Sequence, residues 1–179
     1  IAGKFTQAGQ SFPLTLHRKA IAIEKPKRTQ EPVPPFPYVS EEVSFVNVKE
    51  NIRLAGTFTF PKEKTPLATV VLISGSGPQN RDEELMGHKP FLVLSDYLTR
   101  NGIAVLRFDD RGSFASEGDF AAATSNEFAT DVEAAVAYLK TRKEVNKGKI
   151  GLIGHSEGGL IAPMVAVRNK DVNFIVLMA

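Results

Sequence analysis

A strand that is apolar along its whole length can be buried only between two layers, and residues 69–74 (TVVLIS) form such a run. The segments after it restrict the fold further. Residues 91–100 have helical periodicity, with Phe91, Leu94 and Leu98 on one face. Pro90 suits the first turn of that helix and Gly102 its C-terminal cap. Residues 103–108 (IAVLRF) read as the next strand. Thr124 and Glu127 match a capping box, opening a helix whose Phe128, Val132, Ala135, Val136 and Leu139 face inward. A strand at 150–153, a helix at 157–167 and a strand at 174–178 complete the series. Strands alternating with helices predict an α/β fold, with a mostly parallel sheet covered by helices on both faces.

The chain before this region is built differently. Residues 4–7 and 11–18 read as a β-hairpin turning at Ala8-Gly9, with Phe12, Leu14 and Leu16 alternating with Pro13, Thr15 and His17. A lone hairpin is marginal in water, so residues 1–23 are expected to be the last strands of a small upstream β domain. Residues 24–40 carry Pro26, Pro32, Pro34, Pro35 and Pro37 among charged residues, which predicts an extended linker. Residues 43–48 and 53–60 read as an antiparallel pair turning at Glu50-Asn51. The α/β region is placed at 41–179, and the sequence stops just after a core strand. A bare core edge is adhesive. The expectation is therefore the N-terminal part of a longer domain, truncated after about its sixth strand.

Composition narrows the chemistry. Of the 179 residues 42% are hydrophobic and 23% charged, globular values that predict a packed core. The net charge of +2 comes from mixed signs, with no basic block and no basic face interleaved with aromatics, so a nucleic-acid partner is not expected. There is no cysteine, which excludes disulfides and thiol catalysis. No apolar run reaches the roughly 20 residues of a membrane span. The first residue is Ile1 rather than Met, and the compartment stays open, with a slight lean to periplasmic or secreted over cytoplasmic.

The chemical signal is at 154–159, Gly-His-Ser-Glu-Gly-Gly, between the strand at 149–153 and a helical run. This is a G-x-S-x-G pattern in a strand–turn–helix context. Such a serine sits on a sharp, strained turn that raises its hydroxyl above the sheet. Strand and helix backbones then crowd the positions two before and two after, so Gly154 and Gly158 are required to be small. Ser156 is the candidate nucleophile. The rival reading is a chance match in a loop.

The second half of the site is expected after residues 69–74, in the loop Ser74-Gly75-Ser76-Gly77-Pro78. A glycine-rich turn there can aim a backbone N–H at the same point. The oxyanion hole would pair the N–H of Ser76 with that of Glu157. The loop has no Gly-Lys-Ser/Thr, so it is not a Walker A phosphate loop.

Four separated segments, GSGPQNRDE (75–83), AVLRFDDRG (104–112), SEGDF (116–120) and GHSEGG (154–159), stand in an order that resembles the bacterial α/β-hydrolase serine esterases. The likeness is to the dienelactone-hydrolase and prolyl-oligopeptidase-like branch, over residues 41–179. The resemblance implies the α/β-hydrolase fold and cleavage of a small-molecule carboxylic ester through an acyl-serine intermediate, with no cofactor. It also implies a small β domain ahead of the hydrolase domain, as the first residues suggest. Such enzymes place a carboxylate and then a histidine after the serine. Neither is found after Ser156 in the expected place, so both are expected from the remaining C-terminal half of the domain, in the same gene product or in a second chain.

The other polar residues have quieter readings. His155 should point away from Ser156 and serve packing or hydrogen bonding. His88 reads as a solvated loop histidine, and His17 belongs to the hairpin. Among Asp109, Asp110, Arg81 and Arg111, an acid–arginine pair bracing two loops is expected rather than acid–base chemistry. Glu157 suits a helix N-terminus. No His/Asp/Glu cluster has metal-ligand spacing. Two alternatives stay open: a serine peptidase of prolyl-oligopeptidase-like type, and a non-catalytic fragment that needs a second polypeptide to complete its triad.

Overall fold

The computed structural model describes residues 1–18, 27–62 and 66–178. Strands β1 (Ala2–Gln7) and β2 (Gln10–Thr15) form the N-terminal hairpin. Gln7 lies opposite Gln10, leaving a two-residue loop of Ala8 and Gly9 with φ of 49° and 77°. Paired positive φ values give a turn whose twist matches its strands. Phe5, Phe12 and Leu14 are exposed on it. The step from hairpin to expected linker falls at residues 19–26, outside the described residues, and residues 27–38 hold neither helix nor strand.

Six strands make the main sheet: β3 (Val39–Asn47), β4 (Ile52–Phe60), β5 (Leu67–Ile73), β6 (Ala104–Phe108), β7 (Val145–His155) and β8 (Val172–Met178). They lie in the order β3-β4-β6-β5-β7-β8. The β3/β4 and β4/β6 pairs are antiparallel, and the β6/β5, β5/β7 and β7/β8 pairs are parallel. Only β4 runs against the rest of this sheet. The fold is the mostly parallel α/β arrangement that the alternating pattern predicted.

Helices α1 (Pro90–Arg100), α2 (Ser125–Thr141) and α3 (Glu157–Arg168) link the parallel strands. Both faces of β5 are therefore covered. Val70 and Leu72 pack with Phe91, Leu94 and Leu98 of α1. Val71 and Ile73 pack in the cluster of Val132, Val136 and Leu139 of α2 and Ile161 and Val165 of α3. Local signals set the helix ends. Thr124 caps α2 in a full capping box with Glu127. Beyond α1, Gly102 (φ 89°) turns the chain so that its N–H reaches Thr99 O and that of Ile103 reaches Leu98 O, the Schellman arrangement.

Two strands start four residues before the point that the sequence pattern suggested. β3 starts at Val39, opposite Phe60, not at residue 43. Its added residues Ser40, Glu41 and Glu42 belong to an edge strand, where polar side chains can face solvent. β7 starts at Val145, opposite Leu67, not at residue 149. Lys147, Gly148 and Lys149 are exposed there and hide the strand from a hydrophobic pattern.

After β5 the chain goes to β6 on one side, then crosses back over β5 to reach β7. Such a reversal opens a crevice at the carboxyl ends of the strands, where α/β sheets place ligands. The loop after β6 is anchored beside that crevice. Arg111 Nε and Nη2 donate to the two Asp131 carboxylate oxygens at 2.7 and 2.9 Å, and Asn47 Nδ2 donates to Asp131 Oδ1 at 2.7 Å. Both side chains are buried, so loss of one leaves a buried charge unpaired. Asp131→Ala should cost about 3–5 kcal/mol in urea unfolding. Breaking the exposed Arg53–Glu117 pair by Arg53→Ala should cost under about 1 kcal/mol. Equal losses would show that the buried pair is not a structural anchor.

Candidate active site

β7 ends at His155 and α3 begins at Glu157, so the chain passes from strand to helix through Ser156 alone. Ser156 does this at φ 51° and ψ −113°. A non-glycine residue held in such a sparsely populated region costs of order 1–3 kcal/mol and persists only where its surroundings over-determine it. Here the surroundings are backbone. A Cβ on Gly154 would come closer than 3.0 Å to Gly158 O, and one on Gly158 closer than 3.0 Å to the carbonyl oxygens of Ile73 and Ser74. This is the crowding that the sequence spacing required. The Ser156 N–H donates to Met178 O at 2.9 Å, which ties the turn to the end of β8. Its side chain is exposed.

The loop after β5 meets this turn. A Cβ on Gly75 would lie 3.2 Å from Ser156 Cβ. Gly75 N–H donates to Glu83 Oε1 at 2.8 Å. The N–H groups of Ser76 and Glu157 have no backbone partner among the described residues. For Glu157, the first residue of α3, this is the ordinary orphan donor of a helix start. The Glu157 side chain turns away and accepts from Ser125 Oγ at 2.8 Å, joining the starts of α3 and α2. Ser156, Ser76 and Glu157 thus belong to two segments packed against each other. An open cleft of about 530 Å³ runs past Ser156, lined by His155, Gly159, Leu177 and Met178. On the other side, Ser74, Gly75, Asp110, Phe128, Glu157 and Ile161 line a small cavity of about 20 Å³.

The three histidines do not reach Ser156. His155 hydrogen-bonds through Nδ1 to Glu83 Oε1 at 2.7 Å, the hydrogen-bonding role expected of it. His88 lies with Nδ1 3.4 Å from Gln30 Nε2, and His17 is exposed on the hairpin segment.

Carboxylates at the end of β6 brace the loop, as the sequence suggested, although by two different devices. Asp109 takes a bidentate pair from Arg81, with Nη2–Oδ2 at 2.8 Å and Nε–Oδ1 at 3.1 Å, and also accepts the Arg81 N–H at 2.8 Å. Burial alone would raise its pKa, but Arg81 overcomes that and holds the carboxyl below the usual range. Among the described residues Asp110 has no arginine partner. Its oxygens accept from Ser74 Oγ at 2.7 Å and from the Gln79 N–H at 2.8 Å. Burial pushes its pKa up to about 7 despite those two bonds. Sequence pattern alone does not separate these two aspartates and gives no role to Glu83. The run Arg81-Asp82-Glu83 within the 75–83 loop motif is the available signal.

Because the folded-state pKa of Asp110 is raised, its neutral form is the stabilising one. That contribution is complete below the unfolded value near 4 and is lost as pH rises through about 7. Asn can accept from the Gln79 N–H through Oδ1 and donate from Nδ2 to Ser74 Oγ, keeping two bonds without a charge. The thermal midpoint of Asp110→Asn relative to the parent should therefore rise between about pH 5 and pH 8. A difference that does not change with pH would show that Asp110 does not titrate there. Gly158→Ala should abolish the turn and lower the thermal midpoint, whereas Ser156→Ala should leave it unchanged or raise it.

Comparison with known proteins gives the family and the fold. A family model described as Hydrolase_4, serine aminopeptidase, S33, matches residues 88–179. Esterase EstD of Thermotoga maritima is 37% identical over 118 residues, covering 65% of this chain and 28% of that protein. The α/β hydrolase GrgF from Penicillium superposes with a TM-score of 0.67 at 22% identity, over 78% of this chain and 45% of that one. The esterase Pf2001 of Pyrococcus furiosus gives 0.61 at 25% identity, over 75% and 49%. The chain thus spans less than half the length of each of these three relatives. Strand order, the turn at Ser156 and the family match lead to one assignment: the chain has the α/β-hydrolase fold and belongs to the Hydrolase_4 (serine aminopeptidase, S33) family.

Proposed function

We propose that the protein is a serine hydrolase that cleaves carboxylic esters through an acyl-serine intermediate at Ser156. The observation that carries this reading is the strained, exposed turn of Ser156, held by Gly154 and Gly158 against the loop after β5. Strain of this kind is a cost without purpose in a structural turn, and it concentrates at functional sites. The names of the Thermotoga and Pyrococcus relatives, both esterases, favour an ester substrate.

In the proposed mechanism Ser156 Oγ attacks the ester carbonyl carbon and its proton passes to a histidine. The tetrahedral oxyanion is held by the N–H groups of Ser76 and Glu157, with the N-terminal end of α3 adding a favourable field. Collapse breaks the bond to the alkoxy group, which leaves as the alcohol after taking the proton back. Water then attacks the acyl-serine by the same route and releases the acid. The histidine and its orienting carboxylate are assigned to parts of the protein outside these 179 residues, since no described histidine bonds to Ser156. In the same proposal, residues 1–23 are the end of a small β domain and 24–40 a linker whose last two residues already belong to β3, with the N-terminal part of the hydrolase domain at 41–179.

The family description names an aminopeptidase, which supports a second reading as a peptidase on the same serine. Turnover of p-nitrophenyl acyl esters against aminoacyl p-nitroanilides by the full-length protein separates the two. Ester turnover well above anilide turnover is expected, and the reverse would favour the peptidase. Ser156→Ala should lower kcat by roughly 10⁴-fold or more. A variant that keeps its activity would remove Ser156 from the mechanism.

A further inference from the structure

We propose that Glu83 is a positioning residue, whose one carboxylate oxygen sets the spacing between the loop at Gly75-Ser76 and the turn at His155-Ser156. The inference rests on the acyl-transfer reading of Ser156 and adds to it the element that aligns the two halves of the site.

Glu83 Oε1 accepts from the Gly75 N–H at 2.8 Å and lies 2.7 Å from His155 Nδ1. Each partner sits one residue before a group of the proposed machinery: Gly75 before Ser76, His155 before Ser156. At Gly75 the bond fixes a backbone N–H that is two soft dihedrals from the Ser76 N–H, and at His155 it fixes the imidazole, which holds the turn through its side-chain torsions. The groups converge tightly. A Cβ on Gly75 would stand 3.2 Å from Ser156 Cβ, 3.4 Å from Glu83 Oε1 and 3.4 Å from His155 Nδ1.

The clamp is itself anchored. Glu83 is 6% exposed and holds φ at 52°, a left-handed value that a glutamate adopts only under constraint. Its N–H donates to Asn80 O at 2.8 Å. Its neighbours are fixed to β6: Arg81 pairs with Asp109, and Asp82 pairs with Arg107. Oε1 therefore belongs to the sheet rather than to a free loop. In the proposed clamp His155 is the donor, which puts its proton on Nδ1.

The test uses the full-length protein and three variants. Glu83→Met fills the site without an oxygen acceptor, Glu83→Ala empties it, and Glu83→Gln keeps an acceptor oxygen. The clamp predicts that Met and Ala lower kcat for a p-nitrophenyl ester by about 10²-fold, the usual effect of a misplaced donor, with KM nearly unchanged. Gln should restore most of kcat, and a folded Met or Ala variant with the parent's kcat overturns the proposal. If neither folds, the ¹⁵N spectrum of the His155 imidazole in the parent decides: a proton on Nδ1 supports the clamp, and an Nε2–H tautomer overturns it. Failure of the acyl-transfer reading is seen separately, as parental activity in Ser156→Ala.

Discussion

The β7–α3 turn approaches the end of β5 so closely that no side chain fits between them. Gly158 packs on the carbonyl oxygens of Ile73 and Ser74, Gly154 packs on Gly158, and Ser156 is left with the one backbone conformation that closes the gap. Most of what surrounds the site depends on this approach. It puts the start of α3 over the crevice where the strand order reverses, and it brings Gly75 against Ser156. The strained serine follows strands packed on both faces, with Leu72 of β5 and Leu152 of β7 buried.

A second layer of order is electrostatic. The loop after β5 has little apolar content of its own, so carboxylates tether it. Asp109 holds Arg81, Asp110 holds Ser74 and Gln79, and Glu83 reaches back to Gly75 and His155. Of these, Asp109 has a full cationic partner and stays ionised, while Asp110 is met only by neutral donors and is pushed toward its neutral form. The same residue type at adjacent positions thus behaves oppositely, because an arginine meets one and neutral donors meet the other.

Those two layers differ in how far the sequence revealed them. The sharp turn was legible because sterics act locally: Gly154, Ser156 and Gly158 fall within five residues, and a buried strand precedes them. The run at 69–74 and the capping box at Thr124 and Glu127 were legible for the same reason. The edges were not. Ser40, Glu41 and Glu42 belong to β3 because Thr57, Phe58 and Thr59 lie opposite them, and that partnership is set by tertiary register rather than local pattern. The split between Asp109 and Asp110 was hidden likewise, since it depends on Arg81, 28 residues before Asp109. Glu83 was present in a motif that resembled a family, yet its link to His155 spans 72 residues.

The central claim is that Ser156 is an activated nucleophile in the assembled protein. Reaction of the full-length protein with a fluorophosphonate probe, followed by mass spectrometry of its peptides, tests it most directly. The account predicts a phosphonyl adduct on Ser156 that is absent from Ser156→Ala. A folded protein that takes no label, or takes it on another serine, would contradict it.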